Sequence, residues 1–162
     1  MIKFGKRILQ DKRMGINMSR PLKLETFMKM AKALSEQSTC IRRNVGCILL
    51  DNKLRIIGSG YNGSSHGASH CIDTPCKGAH FLSGKGLDMC EAIHAEQNAL
   101  MQCKDIDAIH IAVCTTFPCK HCTKMLLNTG CNLIVFNEDY ESTATGLQIW
   151  VDAKRLQRRI IV

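Results

Sequence analysis

Two short stretches of the chain carry residue types that do chemistry: "HAE" at residues 94–96 and "PCKHC" at residues 118–122. Cys119 and Cys122 form a C-x-x-C pair. Such a pair is a redox dithiol, half of a structural zinc clip, or part of a catalytic metal site. A zinc ribbon needs a second C-x-x-C, and the chain has none. A redox dithiol stays open, although its usual setting is an early βαβ unit and this pair lies late. His94 adds what a catalytic zinc needs, three protein ligands with a fourth position for water. With one imidazole and two thiolates, the zinc site is formally uncharged yet still a Lewis acid. Glu96 then reads as a proton carrier rather than a ligand.

These groups must be aimed by helices. Cys119 and Cys122 are i, i+3 and share a face. They open "PCKHCTKMLLNTG", a predicted helix running from Pro118 to Gly130, where the dipole favours thiolate. His94 and Glu96 are i, i+2, which do not face each other on a regular helix. The predicted helix "AIHAEQNALMQC" can bring them together only at an irregular first turn entered from a loop. Residues 62–90 form that loop, rich in Gly, Ser, His and Cys. It is long for a small domain unless functional or cross-linked.

The surrounding elements follow from periodicity. Leu24, Phe27, Met28, Ala31 and Leu34 in "LKLETFMKMAKALSEQS" have helical spacing. "NVGCILL" and "LRIIGSGYN" read as a hairpin around a polar turn. "DAIHIAVCTT" and "CNLIVF" read as strands, "STATGLQIWVDAKRLQ" as a helix and "RRIIV" as a short last strand. The order α-β-β-α-β-α-β-α-(β) is that of an α/β domain with parallel strands in its second half. We expect a basic N-terminal extension, residues 1–21, followed by one domain, residues 22–162.

Composition removes several classes. No stretch approaches the ~18 apolar residues of a membrane span, and the N-terminus lacks the apolar core of a secretory signal. Both point to the cytoplasm. The net charge of +8 suggests nucleic acid, but its distribution does not. Residues 1–23 carry seven basic and one acidic residue, and residues 154–162 four basic and none acidic. The body between them holds eleven basic and thirteen acidic residues, a net of −2. A basic face with interleaved aromatics is absent from it. Of the ten cysteines, Cys47, Cys103, Cys114 and Cys131 lie in apolar runs and read as small core residues.

H-x-E followed by P-C-x-x-C is the pattern of zinc-dependent nucleobase deaminases. In that chemistry Glu96 takes a proton from the zinc-activated water, passes it to the ring nitrogen and assists departure of ammonia. Residues 22–150 resemble the cytidine/deoxycytidylate deaminase superfamily, and most closely the deoxycytidylate (dCMP) deaminases of bacteria and phages. The resemblance rests on "STCIRRNVGCILL", "GSGYNGSSHG", "HCIDTPC", "CEAIHAEQNAL", "TTFPCKHCTKMLLNTG" and "VFNEDY". The Gly-Tyr-Asn-Gly stretch, residues 60–63, favours dCMP over nucleic acid; an RNA- or DNA-editing deaminase is the alternative.

The resemblance implies a three-layer α/β/α fold with a five-stranded mixed sheet and hydrolysis of dCMP to dUMP. It implies zinc on His94, Cys119 and Cys122, and Glu96 as proton shuttle. Asn62 would contact the deoxyribose or base, and the Ala95 N–H the pyrimidine carbonyl. Thr39, Arg42, Arg43 and Tyr140 are the candidates for the phosphate. It further implies a homohexamer, activated by dCTP with Mg²⁺ and inhibited by dTTP at Tyr61, Asn62, Gly63 and His66. A structural zinc is implied on Cys40, Cys71, Cys76 and Cys90, with His70 as the first substitute and His66 and His80 as weaker ones.

Overall fold

The structure is a computed structural model and describes residues 22–82, 85–139 and 143–162. The basic extension at residues 1–21 lies outside the described residues.

The expected hairpin forms from β1 (Gly46–Leu50) and β2 (Ile56–Tyr61). Its turn is stapled by Asp51, whose Oδ1 accepts the N–H groups of Lys53 (2.8 Å) and Arg55 (2.9 Å). β1 also pairs antiparallel with β3 (Ile111–Thr116). β3 pairs parallel with β4 (Leu133–Glu138), and β4 parallel with β5 (Leu156–Arg159). The sheet order is β2-β1-β3-β4-β5, the five-stranded mixed sheet expected.

The central strands are apolar on both faces because both faces are covered. With a side-chain period of two, Ile48, Leu50, Ile111, Val113 and Val135 fall on one side. There they meet Met28 and Ala31 of α1 (Lys23–Ser35). Cys47, Leu49, Ala112, Cys114, Ile134 and Phe136 fall on the other. There they meet α2 (Ala95–Gln102), α3 (Lys120–Leu127) and α4 (Ala144–Asp152) through Ala95, Ala99, Leu126 and Trp150. Each fully buried large apolar side chain contributes about 1.5–3 kcal/mol. The 62–90 loop has little of this, since Ile72, Phe81 and Leu82 are exposed.

Several element ends differ from expectation: α2 starts at Ala95 rather than Ala92, and α3 stops at Leu127 rather than Gly130. α3 begins at Lys120, not Pro118, because Cys119 is its N-cap, extended at ψ 167°. α4 stops at Asp152 and does not run through "KRLQ": Lys154 takes a left-handed φ of 57°. The Trp150 indole N–H then donates to the Leu156 carbonyl (2.7 Å), and β5 starts there, before "RRIIV". Cys103 is half-buried, with its thiol on the Asp105 carbonyl, while Cys47, Cys114 and Cys131 are core residues. All ten cysteines are free. Among the described residues no helix is long and apolar enough to cross a membrane.

Candidate active site

Two helix starts meet beyond the sheet. His94 is the N-cap of α2, extended at φ −74°, ψ 155°, and Glu96 is the second helical residue. The i, i+2 pair therefore sits across the boundary between loop and helix, where the regular helical rotation has not begun. The Gln97 Oε1 accepts the His94 N–H (2.8 Å), fixing that boundary. This half of a capping box was legible as a glutamine three residues after the N-cap, but sequence reasoning passed over it. On the other side Cys119 caps α3 and Cys122 lies one turn in.

The His94 Nδ1 stands 3.5 Å from the Cys119 Sγ and 3.5 Å from the Cys122 Sγ. All three ligand atoms lie within 4.8 Å of one another, and among the described residues no other such group forms. Tetrahedral zinc bonds of about 2.0–2.3 Å put ligand atoms about 3.5 Å apart, so this donor set fits zinc in chemistry and spacing.

The electrostatics agree with that fit. The Cys119 thiol is pulled down to about 3, first by its hydrogen bond with Cys122 and then by His94. Cys122 moves the other way, through the same hydrogen bond and burial. The Cys119 hydrogen bond raises the His94 pKa. Glu96 is only 4% exposed, and burial pushes its carboxyl up. A carboxyl so placed is suited to hold a proton.

A cleft opens over these groups. Arg42, Arg43, Asn62, Ala95, Thr116 and Phe117 line it together with His94, Glu96 and Cys119. Sequence reasoning passed over Thr116 and Phe117, though both lie just before the C-x-x-C. The buried Asn62 already has two bonds: its Oδ1 accepts from the Val45 N–H and its Nδ2 donates to the Arg43 carbonyl, both at 2.8 Å. Arg42 donates from Nη2 to the carbonyls of Leu82 and Lys85 (both 2.7 Å), while its buried Nε has no partner among the described residues.

Thr39 lies elsewhere, on a second cavity with Tyr61, Gly63, His66 and His70. Its Oγ1 accepts the Ser64 N–H (3.1 Å). Tyr140 lies outside the described residues. The Cys71 and Cys76 sulfurs are 3.8 Å apart, and the Cys76 thiol is held below its ordinary range, first by the Glu91 backbone and also by the neighbouring thiols of Cys71 and Cys90. Together with Cys40 they do not close to the spacing of the His94 group. His70 faces Asp73 instead (3.9 Å).

Residues 21–138 match the family described as the cytidine and deoxycytidylate deaminase zinc-binding region. The chain is 33% identical to a deoxycytidylate deaminase of Mycobacterium phage D29, across 75% of this chain and 99% of that one. It is 35% identical to the Schizosaccharomyces pombe deoxycytidylate deaminase, across 82% of this chain and 43% of the yeast one. It thus spans about half the length of the yeast relatives, 43% and 48% of the two from S. pombe and Saccharomyces cerevisiae. The cyanophage S-TIM5 dCMP deaminase in apo form superimposes with a TM-score of 0.67 at 26% identity, covering 87% of this chain and 99% of that one. The same enzyme in complex with dCMP and dUMP gives 0.64 at 27% identity, covering 84% and 95%.

Proposed function

The chain belongs to the cytidine and deoxycytidylate deaminase zinc-binding family, and from that premise we propose that it hydrolyses dCMP to dUMP and ammonia. The observation that carries this reading is the convergence of His94, Cys119 and Cys122 beside a buried Glu96 in one cleft. The relative solved with dCMP and dUMP supports the choice of substrate.

His94, Cys119 and Cys122 would hold the zinc, which would supply Lewis acidity that makes water nucleophilic near neutral pH. Glu96 does the proton work. It takes one proton from the attacking water and gives it to N3 of the pyrimidine. A second proton passes to the 4-amino group, which leaves as ammonia while C4 becomes a carbonyl. The Ala95 N–H holds the ring carbonyl, and Asn62 contacts the deoxyribose or base. The Arg42 Nε, buried and without a partner among the described residues, suits the phosphate, with Arg43 beside it. Thr39 serves the second cavity instead.

Regulation by dCTP with Mg²⁺ and by dTTP belongs to that second cavity. Tyr61 and Gly63 line it, while Asn62 between them lines the first. Its described lining contains no Lys or Arg. A triphosphate there needs Mg²⁺ or a neighbouring subunit of a homohexamer to balance its charge. Cys40, Cys71, Cys76 and Cys90 would hold a second, structural zinc, drawing together to staple the 62–90 loop. The enzyme works in the cytoplasm.

The test is ammonia release from dCMP, CMP, dCTP, deoxycytidine and a cytosine-containing single-stranded oligonucleotide, each with and without dCTP or dTTP. We expect dCMP to lead. A zinc-loaded protein that releases ammonia from the oligonucleotide but not from dCMP would overturn the reading.

A further inference from the structure

Buried hydroxyls in this protein have partners. The Thr115 Oγ1 accepts the Gly46 N–H (3.1 Å), Thr123 donates to the Pro118 carbonyl (3.2 Å), and Thr129 to that of Leu126 (2.7 Å). Thr116 departs from this pattern. It is 4% exposed, yet its hydroxyl makes no hydrogen bond among the described residues. The hydroxyl is not sealed in the core: it is not among the fully buried polar atoms that lack a partner, and Thr116 lines the cleft beside Glu96 and Cys119.

Its position explains why. Thr116 is the last residue of β3, and the strand period sends its side chain to the same face as Cys114, the face that α2 and α3 cover. Both helices begin there with metal ligands. Thr115, one residue earlier, points to the opposite face and is satisfied by β1.

We propose that the Thr116 hydroxyl is a hydrogen-bond partner of the bound pyrimidine ring and so a specificity-determining residue. This rests on the dCMP reading above. Phosphate only accepts hydrogen bonds, and the cleft already offers it guanidinium donors. A cytosine ring presents both an amino donor and ring acceptors, and a hydroxyl answers either. It also follows the reaction, accepting from an amino group in the substrate and donating to an oxo group in the product. Thr116 therefore binds both nucleotides.

The test compares Thr116→Val, which removes only the hydroxyl at nearly constant shape, with Thr116→Ser, which keeps it. In Thr116→Val we expect the KM for dCMP to rise about tenfold, with kcat changed less than about threefold. Inhibition by dUMP should weaken by a similar factor. Thr116→Ser should stay within about threefold of wild type in both. The ligand-free Thr116→Val protein should unfold at a temperature no lower than wild type, because the lost hydroxyl had no protein partner. A merely structural threonine predicts a lower Tm and no rescue by serine, and that result overturns the inference. So does a Thr116→Val enzyme with unchanged KM and dUMP inhibition. If wild type releases no ammonia from dCMP, the functional reading fails and takes this inference with it. An active wild type with an indifferent valine variant sinks this inference alone.

Discussion

Gly146 on α4 stands so close to Pro118 that a Cβ there would lie 2.6 Å from the Pro118 carbonyl oxygen and 3.2 Å from the Cys119 carbonyl carbon. The backbone that aims Cys119 is therefore held from behind by a helix with no side chain at the contact. Gly60 of β2 does the same for the other ligand helix, since its Cβ would meet the Ala95 oxygen and the Ala99 nitrogen, each at 2.5 Å. Backbone contacts this short cannot be relieved by a rotamer change. We expect Gly146→Ala to lower stability by about 1–3 kcal/mol and to weaken zinc retention, as the Cys119 segment is displaced. Thermal unfolding and competition with a chelator measure both; wild-type zinc affinity in this variant would show that α4 does not position the site.

Glu96 lies within the cleft but outside the ligand set. Replacing it with alanine should leave zinc in place and cut kcat by about 10²–10⁴-fold. Metal analysis and turnover on the same preparation check this. Unchanged turnover would remove the proton-carrier role, and loss of zinc would mean that Glu96 holds the metal site together.

The loop cysteines bear on metal content. With a structural zinc on Cys40, Cys71, Cys76 and Cys90, purified protein should carry about two zincs per chain by ligand count. Cys71→Ser should carry one, and its 62–90 loop should be cut faster by protease. One zinc in both proteins would leave these residues as free thiols.

Asp51 gives a pH signature away from the cleft. Its carboxyl is held below the ordinary carboxylate range, first by the Arg55 N–H and also by the Arg55 guanidinium, whose Nε lies 2.6 Å from Oδ2. A lowered folded pKa stabilises above the unfolded value and loses that effect as pH falls through the folded one. Asp51→Asn should therefore be less stable than wild type at neutral pH, with the gap closing below about pH 4. Urea melts across pH 3–7 measure the gap; one independent of pH would contradict an electrostatic staple.

The grouping of His94, Cys119 and Cys122 was legible because metal ligation restricts residue type and spacing so severely, and the same two motifs placed Glu96 beside it in the cleft. The sheet was legible because apolar β-rich runs alternate with helical ones. What stayed hidden depends on direction rather than residue type. Thr39 and Arg42 are three residues apart in the chain but line different cavities. Thr115 and Thr116 look alike, and only the strand face separates a satisfied hydroxyl from one that opens into the cleft. The end of α4 was hidden because "DAKRLQ" has good helix formers, while Lys154 turns left-handed where the Trp150 indole reaches Leu156.

The antiparallel pairing of β1 with β3 has a consequence during synthesis. Cys47 faces Cys114 across that seam, their sulfurs 3.6 Å apart and 67 residues apart in the chain. The β1–β2 hairpin leaves the ribosome long before its central neighbour exists. At roughly 5–20 residues per second, the stretch from Tyr61 to Ile111 takes several seconds to be made. Throughout that interval β1 shows the nascent chain an open edge, while α1 can already cover Ile48 and Leu50. His94 likewise emerges before either cysteine partner, so the metal centre can form only after the sheet has its middle strand. Chains arrested before β3 should therefore aggregate and bind no metal at His94.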